Sequence, residues 1–253
     1  MAHPNHSSPT LNSPFLSIII PAHNEETRLP QTLEQALAFL KTQAYDFEIL
    51  VVENGSSDRT FEIASEFARA HPSLRVIREG LPGKGRAVRR GMLEAKGQYR
   101  FMCDADLSMS IEQVSRFFPP ALEGVDIAIA SREARGAVRV DEPLYRHLGG
   151  RVINFVIRLL ILPGLNDTQC GFKCFTAEAA QTIFPRQTLA GWSFDIEMLF
   201  IARRFGLSVR EIPIRWRFDP ETKLSAVQDA FKMVRDIFHI HGAARRGVYD
   251  RHP

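Results

Sequence analysis

Three short apolar runs, each broken off by a cluster of polar residues, restrict this chain more than any other feature. Leu16-Ser17-Ile18-Ile19-Ile20 leads into Pro21-Ala22-His23-Asn24-Glu25-Glu26. Glu48-Ile49-Leu50-Val51-Val52 leads into Glu53-Asn54-Gly55-Ser56-Ser57-Asp58, and Phe101-Met102-Cys103 into Asp104-Ala105-Asp106. Runs this short and this apolar read as buried strands, and after the second one Phe61, Ala64, Phe67 and Ala68 recur at helical spacing. The alternation predicts strands at 16–20, 47–52, 74–78, 99–103, 125–130 and 208–214. Helices are predicted at 29–41, 58–70, 85–96, 110–118, 144–162, 176–184, 193–205 and 226–241, with Ser110-x-x-Gln113 as a capping box for the fourth. Such a pattern is that of an α/β fold, a Rossmann-like and mainly parallel sheet with helices on both faces. Ligands of open α/β sheets gather beyond the carboxyl ends of the strands, so the three polar clusters are expected to build one site.

Asp104 and Asp106 define what that site can hold. Mg2+ and Mn2+ prefer hard oxygen ligands and take one or two protein carboxylates, filling their shell with phosphate oxygens and water. Two carboxylates separated by one small residue suit a metal held against a diphosphate, although aspartates are also common where strands end in turns. A second element points to the same ligand. Gly80-Leu81-Pro82-Gly83-Lys84-Gly85-Arg86 opens a helix, and Lys84, Arg86, Arg89, Arg90, Lys96 and Arg100 stand against the single acid Glu94. A Gly-rich helix start aims N–H groups at an anion, which assigns Lys84 and Arg86 to phosphate and leaves Arg90, Lys96 and Arg100 to a solvated face.

With 253 residues, 45% hydrophobic and 24% charged, and with no Ser/Gly linker, the chain reads as one domain over 15–243. A polar, Pro-rich disordered leader is expected at 1–14 and a basic tail at 244–253. A net charge of only +3, without interleaved aromatic and basic residues, argues against a nucleic-acid partner. Cys103, Cys170 and Cys174, an odd set, read as reduced thiols of a cytoplasmic protein.

The ordered motifs Pro-Ala-His-Asn-Glu-Glu, Val-Val-Glu-Asn-Gly-Ser-Ser-Asp, Gly-Lys-Gly-Arg-Ala-Val-Arg and Asp-Ala-Asp resemble those of family-2 inverting glycosyltransferases with the GT-A fold. Ala130-Ser131-Arg132, Asp167 to Lys173, Trp192 to Glu197 and Lys223-Leu224-Ser225 resemble the polyprenyl-phosphate sugar transferases, the dolichyl-phosphate β-glucosyltransferases first and the mannosyltransferases next. The resemblance implies metal-dependent transfer of glucose from UDP-glucose to a polyprenyl phosphate, with the nucleotide-sugar half at 15–130 and the acceptor half at 131–243. It implies Asp106 as metal ligand and Asp104 on ribose or sugar hydroxyls, sharing the metal. Glu53, Asn54 and Asp58 would face the nucleoside, and Pro21, Ala22 and Glu25 would line its pocket. Arg132, Lys173 and Lys223 would meet the acceptor phosphate beside Ser131, Gln169 and Ser225. Asp195 lies where relatives with hydroxyl acceptors carry a base, and is read either as orienting a substrate or as a first-turn helix acid.

Relatives usually show paired aspartates where this chain has Glu53 and Asn54. An Asn amide matches the O4 and N3–H edge of uracil, which favours UDP over GDP. GDP-mannose as donor, a soluble acceptor, and a silent nucleotide-sugar-binding subunit remain the alternatives.

The segment 147–162 carries His147, Arg151, Asn154 and Arg158 in a narrow stripe on an otherwise apolar helix, too short to span a bilayer. A second segment, 226–241, sets Val227, Phe231, Val234, Ile237, Phe238 and His241 on one side. Lying in the interface, with Ile157 and Leu160 inserted and Arg151, Arg158, Arg245 and Arg246 on headgroups, they would make a peripheral protein at the cytoplasmic face of a membrane. The alternative is a core helix or a homodimer interface.

Overall fold

The computed structural model describes residues 13–106, 108–219 and 226–250. The chain runs β1 (Leu16–Ala22), α1 (Leu29–Leu40), β2 (Phe47–Asn54), α2 (Thr60–Ala70), β3 (Leu74–Glu79), α3 (Lys84–Glu94) and β4 (Tyr99–Cys103). There follow β5 (Ile127–Ser131), β6 (Val138–Val140), α4 (Leu144–Leu160), β7 (Phe172–Thr176), α5 (Ala177–Ile183), α6 (Phe194–Arg204), β8 (Val209–Pro213), β9 (Arg215–Arg217) and α7 (Ala226–Arg245). Seven strands form one sheet in the order β3-β2-β1-β4-β7-β5-β8. β1 pairs in parallel with β2 and β4, Ile18 standing level with Ile49 and Phe101, so the three polar clusters emerge at one edge. β7 runs antiparallel between β4 and β5, and β8 is parallel to β5. β6 and β9 make a separate two-stranded sheet.

Alternation along the strands divides the apolar residues into two cores. Ile18 and Ile20 pack with Leu29, Leu33 and Leu37 of α1 and Ala64 of α2. Ile19, Leu50 and Val52 face Ala87, Val88 and Met92 of α3, and that core continues through α5, α6 and Ile237 and Ile240 of α7. The helices therefore cover both faces, as the alternation of elements requires.

Several expectations are corrected. The segment expected as a helix at 110–118 is a 3-10 turn, Ile111–Arg116, without a side-chain cap from Ser110. The capping box fails because the Gln113 amide is engaged elsewhere: it donates to Arg215 O (2.9 Å) and accepts from Arg215 N (2.8 Å). β7 was not expected, because buried Lys173 interrupts the apolar run that marks a strand. The fold does not end at 243: α7 reaches Arg245, and Val248–Asp250 forms a 3-10 turn with Tyr249 fully buried. The leader falls outside the described residues except for Ser13 and Pro14, whose carbonyl accepts from Gln98 N (3.1 Å).

α4 and α7 present their apolar residues differently from expectation. Ile157 is buried in the core, whereas Leu144, Tyr145, Leu148, Val152, Phe155 and Leu159 are exposed along one stripe of α4. On α7, Ile237 turns inward with Met233 and Ile240, while Phe231 (77% exposed) and Phe238 (67%) turn out. The Val227 side chain lies outside the described set. No described helix is long and apolar enough to cross a membrane.

α3 approaches the sheet closely because Gly91 has no side chain: a Cβ there would overlap Ile19 Cγ2 and stand 3.0 Å from Val52 Cγ2. Gly91→Val is expected to lower stability by about 2 kcal/mol through overpacking, read as a lower urea midpoint. An unchanged midpoint would show that α3 can lift off the sheet freely.

Candidate active site

Asp104 and Asp106 follow the last residue of β4, the strand that β1 aligns with β2. Lys84, the first residue of α3, places Nζ 2.6 Å from Asp104 Oδ1 and 5.0 Å from the centre of the Trp192 ring. The register of β4 with β7 brings Gly171 against the same carboxylate, where a Cβ would overlap Asp104 Oδ2 and Cγ. Asp106 Oδ1 accepts from Ser108 N (3.0 Å), and the carboxylate borders a cleft lined by Arg28, Thr32, Gln35 and Arg217.

Burial, and then the Asp104 charge, push the Asp106 carboxyl above the ordinary aspartate range, against the opposing pull of Ser108 and Lys84. For Lys84 burial acts downward, but Asp104, Asp195 and Asp106 outweigh it and hold the ammonium above the ordinary lysine range. Asp106 thus has a deficit of favourable charge, set by burial and by Asp104 beside it. Hard oxygen donors with that deficit fit a divalent cation. Among the described residues no group of three or more His, Cys, Asp or Glu is placed to hold a metal ion.

The residues expected around the nucleoside serve first to hold the loops. Asn54 is buried and, with its amide oriented to satisfy both atoms, donates to Ala22 O (2.8 Å) and accepts from Gly83 N (3.0 Å). It ties β1 and β2 to the start of α3 and presents no free edge, which removes the physical reason for preferring uracil. Glu53 Oε1 accepts from Ser56 N (2.5 Å), and Arg78 Nε stands 3.5 Å from Oε2. Asp58 accepts from Thr60 N (3.0 Å), Thr60 Oγ1 (2.5 Å) and Glu26 N (3.1 Å), contacts that hold its carboxyl below the ordinary range against the effect of burial. Glu25 pairs with Arg28 (2.7 Å), and Arg28 with Asp219 (2.7 Å). Pro21 is half-buried and Ala22 fully buried. Arg86 N donates to Ala190 O (3.3 Å), and Arg86 Nε is buried without a hydrogen-bond partner among the described residues.

On the acceptor side the expected cations already have anions. Arg132 forms a two-point pair with Asp167 (2.7 and 2.9 Å) and lies over the Trp216 ring, 5.3 Å from its centre. Burial opposes the charge on Asp167, but Arg132 holds the carboxyl below the ordinary range. Lys173 Nζ pairs with Asp195 Oδ1, both buried. Ser131 Oγ accepts from Ala134 N (3.0 Å), closing the turn after β5, and Gln169 is half-buried. Lys223 and Ser225 lie outside the described residues.

Sequence reasoning passed over Gly171, Asp167 and Arg28 as individual residues. Gly171 and Asp167 stood inside the Asp167 to Lys173 motif. The pairing of Arg28 with Asp219, 191 residues apart, left none.

The model of glycosyl transferase family 2 matches residues 17–184. A dolichyl-phosphate beta-glucosyltransferase of Dictyostelium discoideum is 30% identical over 249 residues, covering 93% of this chain and 76% of that protein. The Homo sapiens protein of that description is 32% identical, with 89% and 74% covered. Among solved structures, mannosyl-3-phosphoglycerate synthase from Rubrobacter xylanophilus superposes with a TM-score of 0.67 at 18% identity, covering 95% and 78%. Glucosyl-3-phosphoglycerate synthase from Mycobacterium tuberculosis, solved with Mn2+, UDP-glucose and glycerol 3-phosphate, gives 0.65 at 20%, covering 92% and 80%. At these identities the structural likeness establishes the GT-A fold.

Asp106→Asn should melt at a higher temperature than the unsubstituted protein at neutral pH in chelator. A carboxyl whose folded pKa is raised favours the folded state below its unfolded value, and that contribution is lost as pH rises through the raised value. The amide avoids the loss, so the gain in melting temperature should vanish below the ordinary aspartate pKa and grow above it. Equal melting at all pH would mean that Asp106 ionises without penalty.

Proposed function

The chain belongs to glycosyl transferase family 2 and is a glycosyltransferase, and from that premise we propose that it transfers glucose from UDP-glucose to a polyprenyl phosphate of the dolichyl type. The observation that carries this reading is the Asp104–Asp106 pair at the end of β4, crowded together with Lys84 at 2.6 Å from Asp104. The two carboxylates would hold Mg2+ or Mn2+, with Asp106 the principal ligand. A divalent cation bound there offsets the charge that collects on the departing diphosphate. Lys84 adds a fixed positive charge at the same place, on a helix start whose N–H groups favour an anion. The M. tuberculosis neighbour holding Mn2+ and UDP-glucose, and the relatives described as dolichyl-phosphate beta-glucosyltransferases, support the donor and the acceptor.

The Lys173–Asp195 pair favours a phosphate over a hydroxyl acceptor. A hydroxyl must lose its proton as it attacks, to a base within reach of it. The Asp195 carboxylate is instead engaged by the buried Lys173 ammonium. A phosphate oxygen is already anionic and needs orientation and cations instead. Arg132 and Lys173 would serve it by sharing their charge with the Asp167 and Asp195 carboxylates they already pair.

An isoprenoid tail is held in its bilayer by roughly 0.8 kcal/mol per CH2, so the enzyme must come to the lipid. Leu148 (61% exposed), Phe155 (56%) and Leu159 (71%) on α4, with Phe231 and Phe238 on α7, offer an apolar surface of the kind that lies in a membrane interface. Exposed Arg151, Arg158, Arg245 and Arg246 stand on the same two helices or just past them. Peripheral association at the cytoplasmic face, where three unpaired cysteines stay reduced, follows from this reading.

Two measurements test it. With UDP-glucose, Mn2+ and dolichyl phosphate, product should form and chelation should stop it, while GDP-mannose or a soluble hydroxyl acceptor should give little. Asp106→Asn should lose on the order of 10²–10³ in rate. Turnover unaffected by chelator, or faster with GDP-mannose, would sink the donor and metal assignment.

Flotation with anionic vesicles should recover the protein at low salt and less of it at high salt. Replacing Leu148, Phe155 and Leu159 together by Ser should abolish recovery without lowering the melting temperature. Recovery of a stable dimer in the soluble fraction would make these helices an oligomer interface.

A further inference from the structure

A carboxylate that the chemistry above does not use lies behind the Lys84 end of α3. Glu197, in the first turn of α6, is fully buried. It accepts from Thr188 N (3.0 Å), Thr188 Oγ1 (2.5 Å), Leu189 N (2.7 Å) and the Tyr249 hydroxyl (2.9 Å). A carboxylate is tolerated away from water when donors replace its hydration, and these donors come from two separate segments.

The gathered segment, 187–190, bears directly on the start of α3. Gln187 Nε2 donates to Gly85 O (2.8 Å), and Ala190 O accepts from Arg86 N (3.3 Å). A Cβ at Gly83 would stand 2.6 Å from Ala190 O, and one at Gly85 would stand 2.7 Å from Leu189 O. Backbone meets backbone on both sides of Lys84, so displacement of 187–190 must displace Lys84. The turn that carries Tyr249 is itself anchored, by Arg186 Nε on Tyr249 O (3.0 Å) and by the Arg204–Asp250 pair (2.7 Å).

We propose that Glu197 is a positioning residue for the nucleotide-sugar site and that Tyr249 completes it, so that the last turn of the chain sets Lys84 against Asp104. This rests on the reading that Lys84 meets the donor diphosphate. Neither residue touches the reacting atoms; each acts through 187–190.

The test compares Glu197→Gln and Tyr249→Phe with Ile240→Ala, a core truncation in α7 that removes none of the hydrogen bonds to Glu197. Calorimetry with UDP and Mn2+, donor and acceptor KM, and amide hydrogen exchange over 83–90 are read on the full chain. Glu197→Gln and Tyr249→Phe should raise the Kd for UDP about tenfold, raise donor KM, leave acceptor KM unchanged and speed exchange over 83–90. Ile240→Ala should do none of these at an equal loss of melting temperature. Unchanged exchange in both variants, or the same effects from Ile240→Ala, overturns the proposal, and if Glu197→Gln does not fold Tyr249→Phe decides alone. Lys84→Ala separates the two readings. If it too leaves UDP affinity unmoved while Glu197→Gln speeds exchange, the donor reading fails and the linkage stands; if Lys84→Ala weakens UDP and Glu197→Gln does not, the linkage has no role in donor binding.

Discussion

A lysine and an aspartate withdrawn from water, Lys173 and Asp195, are the constraint around which this protein is arranged. Taking two charges out of water is tolerable only when each finds the other, and removing one would strand its partner. The pair therefore demands that β7, which carries Lys173, and α6, which carries Asp195, keep one relative position. It also anchors a row of charges: Arg132 with Asp167, Lys173 with Asp195, and Lys84 with Asp104. Asp167 feels Lys173, and Lys84 feels Asp195, so the pairs act on one another across the strand ends.

Close backbone approach gives that row its geometry. Gly171 lets the Asp104 carboxylate lie against the start of β7, and Gly83 and Gly85 let the 187–190 segment lie against α3. Asn54 spans from Ala22 to Gly83 and joins the first two strand ends to the third loop. Contacts of this kind cannot be supplied by larger residues, because a Cβ would take the space of the neighbouring backbone or carboxylate. These close contacts contrast with the outward stripe of α4, whose apolar side chains are more than half exposed.

Expectation and structure agree on the succession from β1 to α3 and on the delivery of three polar loops to one sheet edge. They part at β7, where a buried charge hides a strand, and at the 3-10 turn after Ser108, where the Gln113 amide serves Arg215 instead of its own turn. They part again on α4 and α7, where residues at helical spacing were assigned to one side and the core claimed Ile157 and Ile237.

By itself the sequence determined the strand–helix alternation, the carboxylate pair after β4 and the glycine-rich start of α3, because periodicity and turn chemistry are local properties of adjacent residues. Tertiary structure alone decided the partners. Arg132 is held by Asp167, Lys173 by Asp195, and Arg28 by an aspartate 191 positions away. The physical reason is that a buried charge is compensated by whatever folding brings within a few ångströms of it, and that depends on strand order and helix packing, neither of which is written in the spacing of neighbouring residues.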